Sequence, residues 1–135
     1  MSETTFSMIK PHAVQGHQTG AIIAMIEQAG FTIKALRMTQ LSVAQAGQFY
    51  QVHQDRPFYQ QMCQNIAAGP VVAMLLEKDN AVADFRKLLG ATDPTASAAG
   101  TIRHQFGQSI EENAVHGSDA PETAAAEVKF FFGTE

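Results

Sequence analysis

The chain contains no tryptophan and a single cysteine, Cys63. One thiol cannot close an internal disulfide, which excludes a disulfide-stapled scaffold and suits a reducing compartment. Charge is also scarce: Asp, Glu, Lys and Arg make up 16% of the residues, and the net charge is −4 at pH 7. Bulk attraction to nucleic acid or to an acidic membrane is therefore not expected. Any polyanion site must be a local cluster of the nine Lys and Arg. No apolar run approaches membrane-spanning length. The opening Met1-Ser2-Glu3-Thr4-Thr5 lacks the basic start and apolar stretch of a signal peptide, so a cytoplasmic protein is expected. His12, His17, His53 and His104 show no metal-ligand spacing and read as surface residues. What remains is 135 residues, 45% of them hydrophobic, enough for one domain with a real core. No repeat, low-complexity tract or linker interrupts it, so residues 1–135 read as a single domain.

Phe6 to Ile9 reads as a short strand stopped by Lys10-Pro11. Thr19 is expected to cap a helix carrying Ile22, Ile23, Met25 and Ile26, closed by Gly30 as C-cap. Alternation of Phe31, Ile33 and Ala35 predicts a strand over Phe31 to Leu41. Ser42 caps a helix with Val43, Ala46, Phe49 and Tyr50 at helical spacing, broken by Asp55-Arg56-Pro57. Phe58 to Ala67 makes another helix. The apolar run Val71 to Leu76 reads as a central strand buried on both faces. Asp79 is expected to cap a helix over Val82, Phe85 and Leu88 that ends at Gly90. Ala91 to Gly107 shows no periodicity and reads as a long functional loop. A last strand around Ala114-Val115 precedes a helix over Pro121 to Phe132. The core order βαββαβ predicts an α/β (α+β sandwich) fold of ferredoxin-like type, a four-stranded antiparallel sheet with helices packed on it.

The most informative stretch is Asn113-Ala114-Val115-His116-Gly117-Ser118-Asp119. It sets a histidine between a short apolar run and a turn. Asp119 is a plausible N-cap of the following helix, with Glu122 three residues on. A ring nitrogen held at the end of a strand and the mouth of a helix is fixed and reachable, as a histidine nucleophile must be. Elsewhere the chain offers a cationic and aromatic set: Lys10, Tyr50, Phe58, Arg86, Thr92 and Arg103. That inventory suits a nucleoside triphosphate facing a histidine.

The pieces Thr5-Phe6-Ser7-Met8-Ile9-Lys10-Pro11, Asp55-Arg56-Pro57-Phe58, Gly69-Pro70-Val71-Val72-Ala73-Met74, Leu89-Gly90-Ala91-Thr92-Asp93-Pro94, Gly100-Thr101-Ile102-Arg103 and Asn113 to Asp119 occur in order. With them the chain closely resembles the nucleoside diphosphate kinases. The resemblance implies γ-phosphoryl exchange between nucleoside triphosphates and diphosphates, in two steps through a phosphohistidine at His116. It implies Glu127 as the carboxylate orienting that ring, with Ser118 linking Glu127 to the turn. Lys10, Arg86, Thr92 and Arg103 match phosphate ligands. Tyr50 matches a hydroxyl near the transferred group, and Asn113 and Lys10 match contacts to the sugar. Phe58 matches the aromatic that stacks on the base, with Met62 and Ile110 as the apolar other wall. Stacking reads no Watson–Crick edge, so broad base tolerance is expected. Mg²⁺ is implied as cofactor, held through nucleotide phosphates and water rather than by protein ligands.

Three departures from the family pattern stand out. His12 follows Lys10-Pro11 where an acidic residue is usual, Gly16-His17-Gln18 replaces a segment often used in subunit contacts, and Phe49 precedes Tyr50 where a histidine is common. The chain stops at Glu135, short of a segment that braces subunits in many relatives. A dimer-based homo-oligomer is therefore expected, a dimer or tetramer rather than a hexamer. Singly, each residue has a plainer reading. His116 could be a turn histidine bonded to backbone, Arg86 a solvated helix arginine, and Arg103 a loop salt bridge. Phe58 and Tyr50 could be core packing, and Glu127 a surface glutamate. Two other functions compete: a catalytically idle nucleotide-binding regulator, and a single-strand nucleic-acid binder. The first should have lost a catalytic group. The second is disfavoured by acidic charge and the lack of a basic-aromatic strand motif.

Overall fold

The structure, a computed structural model, describes residues 2–51, 54–109 and 112–133. In chain order the elements are β1 (Ser2–Ile9), α1 (Pro11–Gln15), α2 (Thr19–Gln28), β2 (Thr32–Thr39), α3 (Val43–Phe49) and α4 (Tyr59–Ala67). They continue with β3 (Val71–Asp79), α5 (Ala81–Leu89), a 3₁₀ turn (Pro94–Ala96), α6 (Ile102–Phe106), β4 (Val115–Gly117) and α7 (Pro121–Phe132). The strands form one antiparallel sheet in the order β2-β3-β1-β4. This is the ferredoxin-like arrangement that the element order predicts.

Strand side chains alternate between faces, and the chain uses both. Val72, Met74 and Leu76 of β3 join Ile22 and Ile26 of α2 and Phe85 and Leu89 of α5 in one core. Val71 and Ala73 join Phe6 and Met8 of β1, Phe49, Ile66 and Phe131 in the other. The continuous apolar run of β3 follows from this: helices cover the sheet on both sides. Each large apolar side chain fully buried here contributes about 1.5–3 kcal/mol.

Several boundaries differ from expectation, each for a tertiary reason. β1 begins at Ser2 rather than Phe6, because Ser2, Glu3 and Thr4 pair with the polar end of β3, Asp79, Lys78 and Glu77. Pro11 ends β1 as expected, but its fixed φ also opens the short helix α1, which periodicity had not revealed. β2 carries a register shift between Ile33 and Ala35, so its alternation does not run through. The 91–107 segment is not structureless: Asp93 caps the 3₁₀ turn and Thr101 caps α6, with Ile102 and Arg103 buried. Elements of three and five residues are too short to leave a periodic pattern.

Four caps move as well. Thr19 is the first helical residue and Gln18 takes the cap position of α2. At its other end Ala29 is the C-cap and Gly30 follows it at φ 98, with Gly30 N–H donating to Glu27 and Phe31 N–H to Ile26. That closure needs the left-handed conformation glycine supplies, and it brings Phe31 back over Ile26. Asp79 ends β3 instead of capping α5; Asn80 takes that position, and the carboxylate of Glu3 accepts the Val82 N–H at 2.9 Å. Asp119 does not cap α7. It pairs with Arg86, and Thr123 Oγ1 accepts the N–H of Ala120, the residue at the cap. The Asp119 carboxylate is engaged by the Arg86 guanidinium instead of the helix N-terminus.

Candidate active site

His116 lies in the middle of β4, opposite Met8 of β1. Alternation sends Val115 and Gly117 toward α5 and His116 toward the other face. A β-carbon at Gly117 would fall 2.6 Å from Leu89 Cδ1 and 2.9 Å from Phe85 Cδ2, so only glycine lets β4 lie this close to α5. On its own face the imidazole sits among aromatic rings, with centroids at 5.3 Å for Phe49, 6.0 Å for Tyr50 and 6.1 Å for Phe6. Phe49, the departure noted beside Tyr50, is thus packed edge-on against the histidine.

The opposite wall is α7. Glu127 Oε2 lies 2.9 Å from His116 Nε2, and Ser118 Oγ donates to Glu127 Oε1 at 2.7 Å. Glu127 is therefore not a free surface carboxylate: both its oxygens are engaged, and its side chain is 17% exposed. The contact selects a tautomer in which Nε2 carries the proton and donates it to the carboxylate. The lone pair is then on Nδ1.

The peptide before β4 is unusual. Ala114 is a buried non-glycine residue at φ 77, a conformation costing roughly 1–2 kcal/mol for an L-residue. Val115 N–H donates back to Asn113 O at 3.0 Å, closing a three-residue turn around Ala114. The turn is tied to the end of β1: Lys10 N–H donates to Ala114 O at 2.8 Å, and His12 Nε2 accepts the Ala114 N–H at 2.9 Å. Lys10 Nζ donates to Asn113 Oδ1 at 2.7 Å, and Asn113 Nδ2 donates to Thr92 O at 3.2 Å. Lys10, Asn113 and Thr92, separated by most of the chain, thus form one chain of hydrogen bonds beside His116.

Cations converge on the same place. Arg103 is buried; Nη1 donates to Gly90 O at 3.2 Å and Nη2 to Val115 O at 2.9 Å, while its Nε is buried without a hydrogen-bond partner among the described residues. Arg86 pairs with Asp119 at 2.6 Å on the solvent side. Burial, and then the Arg86 charge, lower the Arg103 pKa to about 10. Burial, and then the Arg103 charge, lower the Lys10 pKa to about 7. Arg86 thus acts on Arg103 and Arg103 on Lys10, so positive charge is concentrated beside the histidine turn. Tyr50 is buried, and its hydroxyl is pushed well above the usual phenol range, first by burial and then by the Glu127 charge.

Phe58 stands apart from this cluster. It is 43% exposed, not a core plug, with the Arg56 guanidinium 6.0 Å from its ring centre. Met62 is half-buried on α4, one turn later. Ile110 and His53 lie outside the described residues. His17 and His104 are exposed as expected, but His12 is not an idle surface residue. That histidine and Asp119 are the contributors the sequence reading assigned elsewhere. Among the described residues no three of His, Cys, Asp and Glu are grouped to hold a metal ion.

Comparison with known proteins points to one family. The family model described as nucleoside diphosphate kinase matches residues 3–135. A nucleoside diphosphate kinase of Geobacter sp. strain M21 is 52% identical over 130 residues, covering 96% of this chain and 95% of that protein. One from Flavobacterium psychrophilum is 55% identical over 128 residues, covering 95% and 92%. The crystal structure of the Aquifex aeolicus nucleoside diphosphate kinase superposes with a TM-score of 0.95 at 40% identity, covering 98% of this chain and 96% of that one. The Halobacterium salinarum enzyme, solved in complex with CDP, gives 0.94 at 34% identity over 99% and 90%. These relatives define the class, a phosphotransferase acting on nucleotides. The chain belongs to the nucleoside diphosphate kinase family.

Proposed function

We propose that the protein exchanges γ-phosphoryl groups between nucleoside triphosphates and diphosphates by a two-step, ping-pong route through His116. The observation that carries this is the Glu127 contact to Nε2, which leaves the Nδ1 lone pair for the phosphorus. In the first step an Nδ1–P bond forms as the bond from phosphorus to the β–γ bridging oxygen breaks, and the diphosphate leaves as an oxyanion. In the second step a different diphosphate takes the group by the reverse chemistry. Positive charge grows on the ring as Nδ1 bonds to phosphorus, and the Glu127 carboxylate at Nε2 offsets it. Ser118 keeps that carboxylate oriented.

Phosphoryl transfer asks mainly for placement and charge. Lys10, Arg86, Arg103 and Thr92 bind the phosphate oxygens in this reading, and the buried, partnerless Nε of Arg103 offers a further donor. Tyr50 lies on the imidazole face, where its hydroxyl serves the transferred group. Asn113 and Lys10 orient the sugar hydroxyls. Phe58, presented at the surface, stacks on the base, an interaction worth about 1–3 kcal/mol that any base can make. Among the described residues no three His, Cys, Asp or Glu side chains are grouped to hold a metal, so Mg²⁺ would be carried on the nucleotide phosphates and would neutralise part of their charge. The reading places the enzyme in the cytoplasm as a dimer-based oligomer.

One experiment tests the route and the base tolerance together. The protein is incubated with γ-labelled ATP and no acceptor, then chased with GDP, CDP or UDP. Stoichiometric acid-labile, alkali-stable label on His116, released to all three diphosphates, is expected. Rates should spread over about one to two powers of ten, given a stacking term of 1–3 kcal/mol. His116→Ala should neither label nor exchange. Exchange by that variant at near wild-type rate would reassign the nucleophile, and release to a single base would require an edge-reading contact.

A further inference from the structure

His12 of α1 contributes its ring, rather than a carboxylate, to the turn that carries His116. Its Nε2 is 2.9 Å from the Ala114 N. A ring nitrogen that accepts an N–H must hold a lone pair, so the proton of the neutral ring is on Nδ1. That Nδ1 is buried and has no hydrogen-bond partner among the described residues. A buried donor left unpaired is an expense the fold normally avoids. Here it is tolerated on one nitrogen while the other makes a single, well-formed contact.

What that contact holds is the strained peptide unit. Ala114 sits at φ 77, and both of its backbone polar groups are tied to one segment: its carbonyl to Lys10 N–H and its N–H to His12. On one side Asn113 takes the Lys10 ammonium; on the other, two residues along, is His116. A left-handed alanine persists only where its surroundings over-determine it. His12 supplies one of the two bonds that do so.

We infer that His12 is a positioning residue for phosphoryl transfer: its neutral ring accepts the Ala114 amide and holds the turn that aims His116, and protonation of His12 releases that turn and lowers turnover. This rests on the reading of His116 as the phosphorylated residue. Protonation would place an Nε2–H against the Ala114 N–H at the same 2.9 Å, turning the bond into a repulsion. The charged groups facing the ring are the Lys10 ammonium and the Glu112 carboxylate; Pro11, Gln15, Asn65, Ile66 and Ala68 complete the small cleft beside it. Burial and Lys10 lower the His12 pKa below its ordinary 6.5, and Glu112 opposes them. The clamp is therefore closed at neutral pH and opens on the acid side.

The test compares wild type, His12→Gln, which keeps an acceptor that does not titrate, and His12→Phe, which has none. Single-turnover labelling of His116 is followed between pH 5 and 8, with kcat and KM for exchange. Wild-type labelling should fall more steeply on the acid side than His12→Gln labelling, by the contribution of His12 protonation. At neutral pH His12→Gln should keep kcat within a few-fold. His12→Phe should lose about ten-fold or more in kcat at little change in KM, as a displaced reacting group does. Independently of activity, a long-range ¹H–¹⁵N spectrum of the unliganded protein should show His12 as the Nδ1–H tautomer at pH 7.5. An Nε2–H tautomer, an unchanged acid limb in His12→Gln, or wild-type kcat in His12→Phe would each overturn the role of His12. Absence of label on wild-type His116 would instead overturn the reading beneath it.

Discussion

Lys10 is a half-buried ammonium set beside a buried guanidinium, hydrogen-bonded to the neutral amide of Asn113, with no ion pair to a carboxylate among the described residues. Burial and Arg103 lower its pKa from 10.5 to about 7. The sign of the consequence follows from the two end states. Without nucleotide, Lys10 loses its proton as pH rises through about 7. In the proposed function, phosphates bound at Lys10 would favour the ammonium and keep the proton on. Binding of ADP at pH 8 should therefore take up most of one proton per site, and affinity should weaken as pH rises above 7. Calorimetry in buffers of different ionisation enthalpy reads this directly. Equal heats in all buffers would mean that Lys10 stays charged in the free protein. The same residue shows why a cluster inside an acidic chain is informative: net charge is −4, yet the cations that matter meet at one turn.

At the scale of elements, the site depends on how closely β4 approaches α5. Val115 and Gly117 face that helix, and the missing side chain at Gly117 lets Phe85 and Leu89 come within contact distance of the strand. The same approach brings Arg86 of α5 to Asp119 just beyond β4. Gly117→Ala would put a β-carbon 2.6 Å from Leu89 Cδ1 and 2.9 Å from Phe85 Cδ2, neither of which can retreat within a packed core. Overpacking of this kind costs about 1–3 kcal/mol. Denaturant unfolding at fixed protein concentration should show that loss. Turnover should fall beyond it, since β4 carries His116 and α5 carries Arg86. A variant with unchanged midpoint and kcat would show that the strand can shift outward without harm. On the opposite face α7 is held at its middle by Glu127 to His116 and at its C-terminal end by Arg37 Nη1 to Phe131 O at 2.9 Å. The orienting carboxylate thus stands on an anchored helix rather than a loose one.

For the whole molecule, the sheet buries both faces but leaves β2 as an open edge. Leu36 and Met38, neighbours on that strand, are 49% and 58% exposed, and Val43 and Phe130 are exposed too. An apolar edge strand is a surface that association normally covers. This supports the proposed dimer-based assembly. Light scattering should give two or four times the chain mass of 14.6 kDa. A mass of one chain would remove the oligomer from the proposal, and a mass of six would remove its preference for smaller forms.

Periodicity and turn chemistry by themselves determined the types of the longer elements, the central place of β3, the Ser42 cap and the limits of α7, because each depends on residues near in sequence; α1, the 3₁₀ turn and α6 were too short for that. His116, the cations and Phe58, the aromatic proposed to stack on the base, were legible as types at motif spacing. What only the tertiary structure decided is where long-range partners compete with local ones. Asp119 and Asp79 carry good cap chemistry, yet neither caps its helix; Asp119 is held by Arg86, and Glu3 meets the start of α5 from β1. His12 looks like a solvent-facing departure until the fold sets it 2.9 Å from an amide 102 positions away. Arg103 looks like a loop cation until α6 buries it between two carbonyls. The physical reason is the same in each case: a hydrogen bond or ion pair depends on distance in space, and adjacency along the chain supplies that distance only within a helix turn or a tight loop.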